Sequence, residues 1–248
     1  MSRSLPAFPA HKPDVSCHHP DVVEKTYTIK AITPLFGGGV ETGVNDPVTL
    51  FRPSSIRGHL RFWWRATRGA RYTNVEALLQ REGEIWGTTK NPSPVGLQVK
   101  VTKKDMPKPC ARYEKKKKVD GTTRFSLEWE SPFDTLNSFP YALFPFQGTA
   151  PDSGEPKNPA KFVGSAKFDL TVLIPTTGRM TEQHAEYNRQ RKKIRLPEML
   201  DQDDDIQSDV EAAVWAWVNF GGIGARTRRG CGALFSKDFA PSSVDSLG

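Results

Sequence analysis

Residues 54–69 read SSIRGHLRFWWRATRG, with four arginines, two adjacent tryptophans and no acidic residue. At about 100° per residue, Arg57, Arg61, Arg65 and Arg68 fall within about 80° of one another. Ile56, Leu60, Trp63, Trp64 and Thr67 fill an adjoining arc of about 100°. The stretch therefore reads as a helix that docks by an aromatic stripe and carries a guanidinium row along the edge of that stripe. Ser54 or Ser55 is placed to cap its start, and Gly69 to end it near Thr67. His59, Phe62 and Ala66 form a remaining face that is less polar than a solvated helix presents.

A helix with one apolar edge needs a sheet to lie on, and the flanking sequence supplies strands. KTYTIKAIT (25–33) alternates Tyr27, Ile29 and Ala31 against polar neighbours. VGLQVKVT (95–102) alternates Val95, Leu97, Val99 and Val101. Between them NVEALLQREGEIWG (74–87) reads as a second helix, with Val75, Leu78, Leu79 and Trp86 on one side. FVGSAKFDLTVLI (162–174) reads as one long strand. DVEAAVWAWVNF (209–220) extends a period-3.6 stripe of Ile206, Val210, Ala213, Val214, Trp217 and Val218, with Ser208 and Glu211 spaced as a capping box. A short closing strand, ALFSKDF, ends the pattern.

The order strand, helix, strand, strand, helix, strand predicts an α+β chain with the ferredoxin-like, RRM-like βαββαβ arrangement of many RNA-binding modules. It assigns 25–102 and 161–240 to the core and 103–160 to a long insertion. The insertion holds a basic run (Lys115 to Lys118), the strand RFSLEW and stretches at 103–121 and 149–160 expected to be mobile. Residues 1–24 read as an extended or disordered arm and 241–248 as a tail. A basic patch at 189–195 and an acidic one at 201–205 lie before the last helix.

The net charge of +7 and pI near 9.3 favour an anionic partner, without bearing on fold. No apolar run approaches the roughly 20 residues of a membrane span, and the N-terminus lacks a signal-peptide core. Cys17, Cys110 and Cys231 are odd in number and far apart, which points to reduced thiols in the cytoplasm.

Two features carry the chemistry. Four arginines on one edge with no local Glu or Asp at i+4 repel one another, and a polyanion laid along them relieves that repulsion. The competing reading pairs each arginine with an acid elsewhere in the chain. The second feature, GGIGARTRRGCG (221–232), has Gly222, Gly224 and Gly230 interleaved with Arg226, Arg228 and Arg229. Glycines permit positive φ and close approach, and successive amides form anion-binding nests. A P-loop is absent, and the dinucleotide fingerprint opens a helix rather than following one. Gly37, Gly38 and Gly39, just after the first strand, repeat the device.

RNA cleavage is the alternative, with His59 as general acid or base, or Asp46 in GVNDPVT as a metal-dependent residue. A turn signal, Asp before Pro, explains Asp46 as well. Cys17, His18 and His19 have no second pair at ligand spacing, so neither metal nor cofactor is expected.

Together ITPLFGGG, RPSSIRGHLRFWWRATRG, YALFPFQG and GGIGARTRRGCGAL resemble the RAMP superfamily of CRISPR proteins, and within it subunit one of the type III-B (Cmr) effector complexes. The resemblance covers 26–102 and 206–236 well and 139–174 loosely, and does not reach 1–24 or 103–135. It implies a ferredoxin-like core in a ribonucleoprotein, bound to other RAMP subunits near the guide 3′ end, where it supports target RNA capture without cleaving. Arg57, Arg61 and Arg65, with Gly224, Arg226, Arg228, Arg229 and Gly230, would then face CRISPR RNA or target RNA. One departure is length: many relatives carry two ferredoxin-like halves, and this chain has room for one plus an insertion.

Overall fold

The structure, a computed structural model, describes residues 22–37, 44–46, 49–117, 119, 121–133, 142–152, 157–175 and 206–240. Residues 1–21 of the predicted arm, the 189–195 and 201–205 charge patches and the tail lie outside them, while the end of the arm, from Val22, is already strand.

Alternation in the first predicted strand produces β1 (Val22–Ala31), which buries Tyr27, Ile29 and Ala31 on one face. After β2 (Leu35–Phe36) come α1 (Pro53–Ala66), α2 (Val75–Trp86) and β3 (Gly96–Lys104). Next are β4 (Lys108–Pro109), β5 (Ala111–Lys117) and β6 (Thr123–Trp129). Last come β7 (Lys161–Val163), β8 (Ala166–Pro175), α3 (Ile206–Phe220) and β9 (Leu234–Phe235). The main sheet has the order β3-β8-β1-β9, with every neighbouring pair antiparallel. Its strands are separated in the chain by α1 and α2, by the 105–165 region, and by α3.

Helices α1 and α3 lie together on the sheet's apolar face. Ile56, Leu60 and Trp64 of α1 and Val210, Ala213, Val214 and Trp217 of α3 share one core with Ile29, Phe168, Leu170 and Val172. The stripe read from the α3 sequence is buried throughout. Truncating a fully enclosed indole such as Trp64 costs about 3–5 kcal/mol.

Several local expectations are corrected. Helix α1 begins one residue before Ser54: Pro53 occupies the first turn, Arg52 is the N-cap, and no side chain caps it. It ends at Ala66, where the Thr67 hydroxyl donates back to Trp63 O (2.7 Å), so Arg68 falls in a 3₁₀ turn (Arg68–Arg71) rather than on the helical row. Helix α2 exposes Val75 and Leu79 and buries Ala77, Ile85 and Trp86 with three charged residues, Arg81, Glu82 and Glu84. Ser208 lies within α3, which is already helical at Ile206, so it is not an N-cap. The single long strand 162–174 is two. Phe162 and Val163 pair with β2, and after Gly164 and Ser165 a new ladder to β1 starts at Ala166.

The 103–117 stretch, expected to be mobile, is largely strand. β4 joins β7 and β2 in a small sheet, while β5 and β6 form a hairpin in which Phe125, Leu127 and Trp129 lie opposite Lys115, Tyr113 and Ala111. A second core of Phe36, Cys110, Phe133, Leu143, Phe146, Phe162 and Cys231 seats this region on the exits of β1 and α3.

Candidate nucleic-acid interface

The chain leaving β1 and the chain leaving α3 are stitched together. Ala225 N–H donates to Phe36 O (2.7 Å), Gly232 N–H to Pro34 O (3.0 Å), and the Thr33 hydroxyl to Gly230 O (2.6 Å). The buried Trp217 indole donates to Gly222 O (3.0 Å), anchoring the loop to α3. Gly224 (φ +89°) needs glycine twice over, because a Cβ there would sit 2.6 Å from both Phe36 O and Leu35 Cδ1. Gly37 (φ +72°) lies against Ala225 in the same seam. Gly38 and Gly39 are outside the described residues. The two glycine-rich stretches singled out in the sequence are thus one structural unit.

Within it Arg226 adopts the left-handed conformation (φ 63°), the only non-glycine to do so among the described residues, and opens a 3₁₀ turn, Thr227–Arg229. Arg228, Arg229 and Gly230 are exposed at its tip, and Arg226 is half-buried beside Cys231. Neither Arg226 nor Arg228 has a carboxylate partner among the described residues. A cavity of about 260 Å³ separates this unit from the start of α1, lined by Gly37, Arg52, Ser55, His59, Gly224 and Ala225 among others. The helix entering it has no capping side chain and no acid in its first turn. The start of α1, the Ser55 hydroxyl and the Arg52 guanidinium, which pairs with Asp46, border this cavity.

The arginine row fares differently. Glu82 of α2, 1% exposed, accepts from Arg61 Nε (2.7 Å) and from Arg65 Nε and an Arg65 terminal nitrogen (2.6 and 2.7 Å). That hydrogen bonding raises the Arg65 pKa above its ordinary value, against the effect of burial. Arg57 donates to the Ser93 hydroxyl (2.6 Å) and Val95 O (2.9 Å). Burial, with the nearby Arg61 charge, lowers its pKa. Arg61 and Arg65 are therefore held by a carboxylate that α2 supplies and α1 lacks. Arg61 and Arg65 remain 39% and 48% exposed, so each still turns donors to solvent.

Neither residue of the cleavage alternative stands free. His59 stacks on Trp217 (centroids 6.0 Å apart, 12° between planes), and burial lowers its pKa below 6.5. Asp46 accepts from Arg52 (2.6 Å) and from Thr49 N–H (2.9 Å), the latter the turn contact expected of it. Among the described residues no three His, Cys, Asp or Glu side chains cluster as metal ligands. No helix there is long and apolar enough to cross a membrane.

The RAMP superfamily family model matches residues 28–235, from the first strand through the glycine-rich loop to the last. The chain belongs to the RAMP superfamily. This RAMP chain is 26% identical over 217 residues to the CRISPR system Cmr subunit Cmr1-2 of Pyrococcus furiosus, covering 85% of the chain and 94% of that relative. Among solved structures it is similar to apo Cmr1 of the same organism (19% identity, TM-score 0.49, covering 91% of this chain and 51% of that one). It is also similar to a subunit of the type III-B Cmr-beta complex bound to cognate target RNA (15% identity, TM-score 0.46, covering 92% and 60%). The chain thus spans nearly all of one relative and about half to three-fifths of the solved chains.

Four residues of this RAMP chain's polar framework escaped the sequence reading: Glu82, Arg81, Glu84 and Asp209. Arg81 donates to Glu84 (2.9 Å) and Asp209 (2.7 Å), tying α2 to α3. A signal for Glu82 existed. It lies four residues after Leu78 and three and four before Ile85 and Trp86, so it is an acid on the docking stripe and requires a cation opposite.

Proposed function

We propose that this chain is a noncatalytic RNA-binding subunit of a type III-B CRISPR effector complex, built on a ferredoxin-like RAMP core. It contacts the backbone of CRISPR RNA or target RNA near the guide 3′ end and works beside other RAMP subunits in the cytoplasm. One observation carries the reading. The two glycine-rich stretches close on each other through backbone hydrogen bonds, leaving Arg228 exposed at the tip and an uncapped helix start facing a cavity beside Arg52. Close-approach glycines beside Arg226 and Arg228, which have no carboxylate partner among the described residues, suit phosphates. The β3-β8-β1-β9 order, with α1 and α3 on one face, supports the split βαβ assignment. The Cmr1-2 likeness supports the assembly.

The test is binding of labelled single-stranded RNA across a salt series. Arg228→Ala is expected to flatten the slope of log K against log salt by about 0.7, equally for all sequences, with stability unchanged within about 0.5 kcal/mol. An unchanged slope removes Arg228 from the interface. Cleavage products that vanish in His59→Ala would overturn the noncatalytic assignment.

A further inference from the structure

The face of the main sheet opposite α1 and α3 carries a row of lysines that the glycine-loop site does not use. In the ladder, Lys30 of β1 lies opposite Lys167 of β8, and Lys167 lies opposite Lys103 of β3. On the other side Lys30 faces Phe235 of the edge strand β9. All four side chains are exposed, and among the described residues none of the three ammoniums has a carboxylate partner. With neighbouring strands about 4.8 Å apart, three like charges lie within about 10 Å of one another across the sheet. Such opposition is destabilising.

The fold does not require it. Two rungs away the same three strands carry Thr26, Thr171 and Gln98, and the threonine hydroxyls bond each other (2.9 Å). Two acids flank the rung: Asp169 belongs to the intervening rung, where it accepts from Thr28 (2.8 Å) and lies opposite Lys100, and Asp105, two residues beyond Lys103, donates its backbone N–H to Ser165 O (2.9 Å). The lysine rung also sits at the end of β1 that leads into the glycine-rich unit. Ile32 N–H donates to Ala233 O (2.8 Å), and the next residue, Thr33, holds Gly230. A strand passing the Arg228 tip can therefore continue onto the rung.

We infer that the open sheet face is a second contact for the RNA backbone, in which Lys30, Lys167 and Lys103 extend the track that begins at the glycine-rich loop. The inference rests on the RNA-binding reading above and lengthens its footprint. An even row of unpaired lysines with a single aromatic neighbour suits a polyanion better than a protein, because the centres of protein interfaces are depleted of lysine. A polyanion also neutralises the row beyond the screening that water and salt provide.

The experiment compares the full chain with a triple variant, Lys30→Gln, Lys103→Gln and Lys167→Gln, on a labelled uridine homopolymer and a mixed-sequence RNA strand. Affinity is expected to fall roughly tens of fold at physiological salt, and the salt slope to flatten by about 2 for three contacts. The thermal midpoint should hold or rise, since like charges are removed, which separates loss of binding from loss of fold. If Arg228→Ala weakens binding while the triple variant leaves affinity and slope intact, the lysine rung is excluded and the glycine-loop site stands. If the unaltered chain binds neither strand, alone or with its partner subunits, both fall. A triple variant that keeps RNA affinity but no longer copurifies with a neighbouring subunit makes the rung a protein contact and overturns the inference.

Discussion

Arg61 and Arg65 on α1 meet a buried carboxylate, whereas Arg226 and Arg228 in the loop after α3 meet none among the described residues. The two regions look alike in sequence, each a dense cluster of arginine beside glycine or aromatic residues. They differ in what lies across from them. Helix α2 brings an ionic seam against α1 and α3: Glu82 holds two guanidiniums, and Arg81 bridges Glu84 and Asp209. The glycine-rich loop spends its hydrogen bonds on backbone, with Arg228 and Arg229 exposed at its tip and Arg226 half-buried. The counter-ion supplied by the tertiary structure, not positive charge alone, distinguishes the two clusters.

The strongest way to break this comparison is to damage the seam. Burial works to discharge Arg81, but the Asp209 and Glu84 carboxylates outweigh it and raise its pKa above the ordinary value. Arg81→Met would strand Asp209, fully buried, and Glu84, nearly so, without a cation. The expected cost is about 3–5 kcal/mol in urea unfolding, with RNA affinity of the folded chain unchanged. A loss below 1 kcal/mol, or a specific loss of RNA binding, would put the seam in the same functional class as the loop.

Second in size is Gly224→Ala, which attacks the loop through its backbone. The added methyl meets Phe36 O and Leu35 Cδ1 at 2.6 Å in a positive-φ conformation. A penalty of about 2–4 kcal/mol is expected, combining strain and overlap. RNA binding should fall with it, because the seam that presents Arg228 opens. A variant of normal stability that binds normally would show that the pairing of the two glycine stretches is dispensable.

How far the sequence alone leads follows from the same contrast. Periodicity located β1, β3, β6, α1, α2 and α3, because alternating and 3.6-residue patterns report which side of an element is buried. It placed Trp64 and the α3 stripe correctly for that reason. It failed on α2, where Val75 and Leu79 are exposed and charged residues are buried, because a charge satisfied by a distant partner reads as surface. It merged β7 with β8, since both are apolar and only the Gly164–Ser165 break separates them. The glycine loop was legible as a motif, but its union with Phe36 and Gly37 is a long-range contact that no local pattern encodes. The lysine rung was equally hidden, because it exists only once three strands are in register.

Glu82→Gln probes the middle of the comparison. It keeps the shape of the side chain and removes the charge that holds Arg61 and Arg65. Because both guanidiniums are partly exposed and can be rehydrated, the loss should be modest, about 1–2 kcal/mol. Their release should tighten RNA binding a few-fold and steepen the salt slope by about 0.7 for each guanidinium that gains a phosphate. An unchanged slope would mean that the α1 row is purely structural, and the interface would narrow to the loop and its neighbours.

The smallest effect concerns His59, which lies between the two regions, on α1 and in the cavity beside Gly224. Burial lowers its pKa below the ordinary 6.5. As pH falls through about 6.5 the unfolded chain takes up a proton that the folded chain still refuses, so stability is present above that pH and declines below it. His59→Phe keeps a ring against Trp217, removes the titration and should flatten this acid limb in thermal unfolding. Phosphate in the cavity reverses the pull on the imidazole, since a nearby negative charge favours the protonated form. RNA should then raise the His59 pKa in an NMR titration and bind more tightly at lower pH. A His59 resonance that titrates identically with and without RNA would exclude the backbone from this cavity, and would leave the exposed Arg228 tip as the nearest point of contact.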